Sequence, residues 1–246
     1  NDSTFFPRSP WALFWSASHV PSRLNSVSYR LRLISTAGSL LSTVPLGDSI
    51  TESACWRAKV WDQLSAAGLA SSVDFVGSMT NNVLNCRATS ANFDTGHEGH
   101  SGWLSIDIAN NYLQGWLASY QPQIINVHLG TNDVFQGRTT DAIVASYSRI
   151  VQLARASNPR IKIIFDKIIP AAFNNAAIAA LNARIPAWAA SLNSTDSPIW
   201  IADCSSDAGF SQSFLRDGVH TNDQGDEFMA RQIGPRLLRA VQDSLA

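Results

Sequence analysis

The sequence has no apolar run of the roughly 18 to 20 residues that a membrane-spanning helix needs. The longest candidate, from Trp11 to Val20, is short and interrupted by serines. Charge is also scarce, because charged residues make up 15% of the chain and the net charge is -1. Such a chain lacks the electrostatic field that attracts nucleic acid or an anionic membrane. We therefore expect neither of these partners.

Cysteine is rare as well, with only Cys55, Cys86 and Cys204. Three cysteines allow one disulfide and one free thiol. Asn1-Asp2-Ser3 and Asn193-Ser194-Thr195 are glycosylation sequons. The sequence begins without a Met, as a processed protein does. These features predict a secreted glycoprotein.

Apolar residues are plentiful, at 45% of 246 residues, which fits one α/β domain with a sizeable core. From residue 42 onward, short runs rich in Val, Ile, Leu and Phe alternate with amphipathic stretches. Repeated β-α-β units predict a parallel sheet in a three-layer sandwich. The predicted strands are Ser42–Leu46, Val73–Val76, Ile124–Leu129, Ile161–Ile168 and Pro198–Ala202. The predicted helices are Glu52–Ala67, Trp103–Ser119, Thr140–Ala156, Ala176–Ser191 and Asp223–Gln242.

Residues 1–41 have no place in this pattern. They are interpreted as an extension of unknown role, preceding a domain of residues 42–246. Tyr29–Ile34 also reads as a strand and competes with Ser42–Leu46 to be the first strand of the sheet. Ser42–Leu46 is preferred because it leads directly to Ser49. The aromatic residues of the extension offer it a means of packing on the domain.

Three polar motifs each follow directly after a predicted strand: Gly47-Asp48-Ser49, Gly77-Ser78 and Gly130-Thr131-Asn132. The carboxyl ends of parallel strands share one rim of the sheet, where open α/β proteins bind their ligands. Asp217-Gly218-Val219-His220 lies just before the last helix and must reach the same rim if it belongs to the site. The sequence therefore predicts that four motifs converge.

Together these motifs contain what acyl transfer requires. Ser49 is the candidate nucleophile, and His220 is the candidate base because its ordinary pKa lies near neutrality. Asp217 would orient the imidazole of His220. The Ser49 amide, Gly77 and the side-chain amide of Asn132 are candidate donors to an oxyanion. Taken singly, each motif is equally typical of a turn or a helix cap.

The four blocks resemble those of the SGNH, or GDSL-type, hydrolase superfamily, from about Val44 to Gly234. That resemblance implies a flavodoxin-like α/β/α sandwich with a five-stranded parallel sheet in the order 2-1-3-4-5. It also implies a triad of Ser49, His220 and Asp217, an oxyanion hole that includes Gly77 and Asn132, and no cofactor.

A narrower similarity is to carbohydrate esterase family 3, whose members are acetylxylan esterases. It is carried by His97-Glu98-Gly99-His100-Ser101-Gly102-Trp103, Val73–Ser78 and Leu181–Pro186. The reaction implied is the removal of O-acetyl groups from xylan, a related polysaccharide or small acetyl esters, by a monomer. A short-chain lipase or thioesterase on the same scaffold, or a carbohydrate-binding protein without activity, are the alternatives.

In a sheet of order 2-1-3-4-5, the loops that follow strands one and two are neighbours. Cys55 follows the nucleophile motif and Cys86 follows the Gly77 loop, whereas Cys204 follows strand five at the far edge. A disulfide between Cys55 and Cys86 is therefore predicted, with Cys204 as a free thiol.

His97-Glu98-Gly99-His100 also raises the possibility of zinc. Metalloprotease helices place their two histidines at i and i+4, whereas here they are at i and i+3 beside two glycines. We therefore predict a loop that orders the site, and no metal. Trp56 and Trp103 lie next to the motif loops and are predicted to line a sugar-binding cleft, with Arg57 left unassigned.

Overall fold

The computed structural model describes residues 40–246. The predicted extension, including the candidate strand Tyr29–Ile34, therefore lies outside the described residues except for its last two positions. The described part is a twisted sheet with helices on both faces. None of its helices combines the length and apolar character needed to cross a lipid bilayer.

All strand pairings within the sheet are parallel, and the five longer strands run in the order β2-β1-β4-β5-β6. This is the predicted 2-1-3-4-5 order, which is confirmed. A short strand, β3, was not predicted and pairs with the end of β1. The strands are β1 (Leu41–Gly47), β2 (Val73–Phe75), β3 (Glu98–Gly99), β4 (Ile124–His128), β5 (Lys162–Lys167) and β6 (Ile199–Asp203).

The helices follow the predicted pattern with three differences, one of which is a short helix, Thr131–Phe135, that was not predicted. The first predicted helix is two helices, because the chain turns at Ser53–Cys55. The second begins only at Ser105 and contains a π-helical stretch, Ile108–Tyr112. The helices are α1 (Ser49–Glu52), α2 (Trp56–Ala66), α3 (Ser105–Asp107), α4 (Leu113–Tyr120), α5 (Thr131–Phe135), α6 (Thr140–Ser157), α7 (Asn175–Leu192) and α8 (Asp223–Leu245).

The sheet separates two hydrophobic clusters, as side-chain alternation along a strand requires. Ile125 lies in the cluster covered by α4, α6 and α7. Its neighbour Ile124 lies in the cluster covered by α2 and α8. Strands buried on both faces explain the nearly continuous apolar runs in the sequence. The three-layer arrangement is thus confirmed.

Pro45 lies inside β1, where a missing N–H would ordinarily break the sheet. Thr43 O accepts from Val76 N at 2.9 Å and Gly47 O accepts from His100 N at 3.0 Å, on the same side of β1. By alternation, Pro45 faces that side too. Pairing with β2 ends at Thr43 and pairing with β3 starts at Leu46. Pro45 therefore occupies the gap between the two partners, where no N–H is needed.

Cys55 and Cys86 form a disulfide, with their Cα atoms 5.2 Å apart, and Cys204 is a buried free thiol. The structure thus joins the pair that the sequence predicts. The bond connects the residue before α2 to the segment that follows the Gly77 loop. It closes a chain segment with a sequence separation of 31 residues.

Replacing both Cys55 and Cys86 with Ser should lower the free energy of unfolding by about 2 to 4 kcal/mol, because the unfolded chain regains the freedom of that loop. Urea unfolding followed by circular dichroism measures the difference. Adding a reductant should destabilise the wild type and leave the double variant unchanged. Equal sensitivity of the two proteins to reductant would contradict this role for the disulfide.

Candidate active site

Ser49 leaves the sheet immediately after β1 and begins helix α1. Asp48 caps that helix, accepting a hydrogen bond from Ile50 N at 2.9 Å through Oδ1. The cap turns the chain sharply at the end of the strand, as an acidic N-cap residue does. Asp48 is fully buried whereas Ser49 is partly exposed. The serine hydroxyl is therefore presented at the rim from a rigid turn.

His220 joins Ser49 to Asp217. Its Nε2 lies 2.9 Å from Ser49 Oγ, although the two residues are 171 positions apart in sequence. Its Nδ1 lies 2.8 Å from Asp217 Oδ2. A carboxylate accepts only from a protonated nitrogen, so Nδ1 carries the hydrogen and Nε2 is free to accept the serine proton. The structure brings the three predicted residues together in the order that nucleophile activation needs.

The carboxylate of Asp217 is held by its own loop. Its Oδ1 accepts from Val219 N at 3.0 Å and from His220 N at 2.8 Å. Partial burial acts in the opposite direction, but these amides and the His220 ring lower the pKa of Asp217 to about 2. Asp217 is therefore ionised throughout the range in which a histidine works as a base.

Arg216 links this loop to the nucleophile helix and was not singled out from the sequence. Its guanidinium donates to Ser53 Oγ at 3.2 Å and to Ser53 O at 3.4 Å. Ser53 Oγ in turn donates to Ser49 O at 2.8 Å. An arginine beside an aspartate gives no sequence signal that distinguishes this bridge from an ordinary surface charge.

Gly77 presents an open backbone amide. The amides on either side are occupied, Val76 N by Thr43 O at 2.9 Å and Ser78 N by a Glu98 carboxylate oxygen at 2.8 Å. Within residues 40–246, the Gly77 N–H has no protein acceptor. A side chain at this position would place its β-carbon 1.9 Å from the carbonyl oxygen of His97. Glycine is therefore required for packing against the backbone as well as for access to the amide.

The Ser49 N–H, at the first position of α1, is likewise without an acceptor among the described residues. Unpaired amides at a helix start are available to an anion. Two of the three predicted oxyanion donors are thus free. Their role as donors remains a prediction from the sequence.

Asn132, the third predicted donor, lies in the short helix α5. Gly130 precedes that helix with φ +124°, and a β-carbon there would come within 2.3 Å of the Tyr147 hydroxyl, so only glycine fits. The Asn132 side-chain amide donates to Asp48 Oδ2 at 3.2 Å and to Trp103 O at 3.1 Å. Both hydrogens of this amide therefore have protein acceptors, and the side chain lies beside the turn that carries Ser49.

Beneath the nucleophile turn is a second pair of a histidine and an aspartate. His128 Nδ1 lies 3.2 Å from Asp166 Oδ2, and Asn126 donates to Asp166 Oδ1 at 2.8 Å. Both members of the pair are fully buried. Burial raises the pKa of Asp48 to about 6, and His128 partly opposes this rise. Because no substrate can reach His128, the partly exposed His220 is the histidine available for chemistry.

In the His97–Trp103 segment, both ring nitrogens of His97 are bonded to backbone groups. His97 Nδ1 accepts from Gly99 N at 3.0 Å, so its Nε2 donates to Asn81 O at 3.1 Å. Burial and the nearby Arg57 lower the pKa of His97 to about 4, which keeps the ring neutral. In the described part of the chain, the group with metal-ligand chemistry is instead His128, Asp166 and Cys204, whose candidate atoms spread over as much as 4.8 Å.

The prediction that Trp56 lines the cleft is wrong. Trp56 is only 2% exposed and donates its indole N–H to Ile50 O at 3.0 Å. It packs in the core because α2 turns that face toward the sheet. Arg57 is also buried and binds the carbonyls of Thr51 and Thr95, each at 3.0 Å. Its role is to tie the start of α2 to a loop.

Trp103 belongs to a partly exposed aromatic cluster. His100 stacks against both Trp103 and Trp116, with ring centroids 4.4 and 4.9 Å away, and the two indoles also stack on each other at 6.1 Å. Tyr112, which is 43% exposed, packs against Trp103 at 4.5 Å. Since Trp103 O accepts from Asn132, this cluster adjoins the site. The predicted contact of Trp103 with a sugar remains a prediction.

A serine bonded to a histidine that is backed by a carboxylate, beside free amides, is the arrangement of serine hydrolases. The model of the GDSL-like lipase/acylhydrolase family matches residues 46–228. The chain therefore belongs to this family, and the resemblance to SGNH hydrolases is confirmed.

Two solved structures are similar over most of the chain. One is a mutant of an acetyl esterase with an acetate ion, 48% identical, with a TM-score of 0.81 over 83% of this chain and 100% of that one. The other is a carbohydrate esterase family 3 protein from Talaromyces cellulolyticus, 49% identical, with a TM-score of 0.80 over 83% and 99%. The likeness to carbohydrate esterase family 3 is thus confirmed.

A curated relative is a multidomain esterase from Ruminococcus flavefaciens, 29% identical over 225 residues. The match covers 81% of this chain but only 28% of that protein. The chain therefore spans only about a quarter of the length of that relative.

His97 should make the fold sensitive to acid. The folded protein keeps His97 neutral down to about pH 4, whereas the unfolded chain takes up this proton near its ordinary value of 6.5. The unfolded state therefore binds more protons between these values, and stability is lost as the pH falls through them. The loss is on the order of 3 kcal/mol.

Urea unfolding at pH 7 and pH 4.5, compared between the wild type and His97→Gln, measures this contribution. The variant should be less stable at pH 7 but should lose less stability on acidification. Parallel pH dependence in the two proteins would rule out His97 as the source.

Proposed function

We propose that this protein is a serine esterase that removes O-acetyl groups from xylan or a related polysaccharide. The observation that carries the proposal is the continuous hydrogen-bonded chain from Asp217 through His220 to Ser49. A buried structural network would not place its serine and histidine at the rim of the sheet, partly open to solvent.

In the first step, His220 Nε2 takes the Ser49 proton as Oγ attacks the acetyl carbonyl carbon. The carbonyl oxygen becomes negative, and the Ser49 and Gly77 amides receive it. The Asn132 side-chain amide joins them once it gives up one of its two present acceptors, Asp48 Oδ2 or Trp103 O. Asp217 stabilises the imidazolium that forms. His220 then gives its proton to the leaving sugar hydroxyl, and an acetyl-serine remains.

In the second step, His220 takes a proton from water as the water oxygen attacks the acetyl carbonyl carbon. His220 then returns that proton to Ser49 Oγ as the bond between Ser49 and the acetyl group breaks, and acetate leaves. The same donors receive the negative oxygen again. All of these groups belong to the chain itself, and the steps as written require no cofactor.

The acetyl group is supported by the similarity to an acetyl esterase at 48% identity. A carbohydrate substrate is supported by the 49% identity to a carbohydrate esterase family 3 protein. The exposed ring of Tyr112, next to Trp103, offers an apolar face on which a pyranose ring can pack.

Secretion and glycosylation are also proposals. The disulfide favours an oxidising compartment. Asn193 is exposed just after α7, and its Oδ1 accepts from Ile199 N at 2.8 Å. Its Nδ2, the atom that would carry a glycan, has no hydrogen-bond acceptor among the described residues. A monomer remains our expectation for the assembly.

Ser49→Ala should lower kcat for an aryl acetate by on the order of 10⁴-fold or more, since the attacking oxygen is removed. Initial rates are measured on protein with an unchanged circular dichroism spectrum. Ser119→Ala, which removes an exposed hydroxyl bonded to Gly115 O within α4, is the control and should retain most of the activity. Substantial turnover by Ser49→Ala would end the proposal.

A restricted acetyl site should show a steep fall in kcat/KM from acetate to butyrate and longer aryl esters. Acetylated xylan should release acetate, quantified by an enzymatic assay. A flat or rising dependence on acyl length would favour a lipase or thioesterase of the same fold. Binding of xylan without any ester hydrolysis would favour a non-catalytic carbohydrate-binding protein.

A further inference from the structure

Glu98 is a fully buried carboxylate outside the triad. One oxygen accepts from Ser78 N at 2.8 Å. The other accepts from Ser78 Oγ at 2.6 Å and from His100 Nε2 at 2.5 Å. These donors come from two different loops, so the carboxylate joins the segment after β2 to the segment around β3.

The bonds to Ser78 act on the residue directly after Gly77. On the other side, Val76 N is fixed by Thr43 O of β1. Beyond Ser78, Met79 and His97 exchange two backbone hydrogen bonds, at 3.1 and 2.9 Å. The residues on both sides of Gly77 are therefore held in place. Val76 and Met79 are held by backbone hydrogen bonds, whereas Ser78 is held by the side chain of Glu98.

The carboxylate is a strong anchor because it is charged. Burial opposes ionisation, but hydrogen bonds from His100 and Ser78 lower the pKa of Glu98 below its ordinary value. Hydrogen bonds to an ionised acceptor are roughly twice as strong as those between neutral groups. The His100 ring is itself held by stacking contacts with Trp103 and Trp116.

The same segment also reaches the other side of the site. Trp103 N donates to His100 O at 3.2 Å, and Trp103 O accepts from the Asn132 amide at 3.1 Å. A short stretch from Glu98 to Trp103 thus contacts both the Gly77 loop and Asn132. The sequence predicted a loop that orders the site here, but not which of its side chains makes these contacts.

We propose that Glu98 is a positioning residue for the oxyanion hole, holding the Gly77–Ser78 segment so that the Gly77 N–H faces the carbonyl under attack. This inference rests on the proposed esterase function. An oxyanion donor acts mainly in the transition state, so misplacing it lowers kcat and leaves KM nearly unchanged.

Glu98→Gln keeps the side-chain shape and removes the charge. Its kcat for an aryl acetate should fall about 10- to 100-fold, somewhat less than loss of a whole donor, with KM within about threefold. A boronic acid that forms a tetrahedral adduct with Ser49 should bind more weakly by a similar factor. Asn132→Ala, which removes a predicted oxyanion donor completely, is the reference variant for this combination of lower kcat, nearly unchanged KM and weaker boronic acid binding.

Glu52→Gln is the matched control. Glu52 is also a carboxylate that braces loops, accepting from Asn81 Nδ2 at 2.8 Å and from Ser101 N at 2.9 Å, but it does not touch Ser78. Its loss should affect stability more than kcat. If both variants lose stability and keep the wild-type kcat, Glu98 is only structural and the proposal is overturned.

Ser78→Ala removes the hydroxyl bond to Glu98 and keeps the backbone amide, so it tests the same anchor if Glu98→Gln does not fold. Its kcat should fall several-fold in the same direction, and an unchanged kcat would overturn the proposal. Failure here is distinct from failure of the function. If kcat falls in Asn132→Ala but is normal in the Glu98 and Ser78 variants, the esterase function stands and only the role of Glu98 is rejected. If Ser49→Ala is active, the esterase function itself is rejected.

Discussion

Parallel pairing of β1 with neighbours on both sides places the whole site. Gly47, the last residue of β1, is in register with Gly99 of β3 and with His128 of β4. Three chain segments therefore leave the sheet at one level and in one direction. Ser49 and Asn132 follow within a few residues of those ends, and the His97–Trp103 segment passes beside them. Loss of register in this central strand would separate all of these groups at once.

The loops of this rim are held largely by buried carboxylates and much less by extended backbone ladders. Asp48, Glu98 and Asp133 are each fully buried. Asp133 accepts from Ser105 N at 2.7 Å and thereby starts α3. Burying a charge is costly unless donors surround it. Donors outweigh burial at Glu98, whose pKa is lowered, whereas burial dominates at Asp48 and Asp133, whose pKa values are raised. Burying Asp48 and Asp133 therefore costs some folding stability, but their hydrogen bonds hold the loops of the rim in a fixed geometry.

Elements with a strong local pattern were predictable from the sequence. Apolar runs predicted the five longer strands, and motifs at strand ends predicted Ser49 and the position of Asn132. The motif before the last helix predicted Asp217 and His220. β3 escaped because Glu98 and Gly99 form no apolar run and pair with β1 only through its position in the fold. The π-helical stretch and the turn at Ser53–Cys55 depend on packing, which periodicity does not record.

Trp56 shows a different limit. Its nearness to Ser49 in sequence implied exposure at the cleft, but the turn after α1 reverses which face meets solvent. Arg216 and Glu98 act through contacts between loops far apart in sequence. Only the folded chain reveals such contacts, because a single arginine or glutamate has no pattern that names its partner.

Pro45 also fixes how β1 can be aligned. A slip of one residue along β4 would turn Val44 and Leu46 to the opposite face. It would also direct the imide nitrogen of Pro45 toward β4, leaving a carbonyl of that strand without its donor. The proline therefore penalises the misaligned sheet while costing nothing in the native one. Since Ser49 follows only four positions later, this one ring helps to set the height at which the reactive hydroxyl emerges.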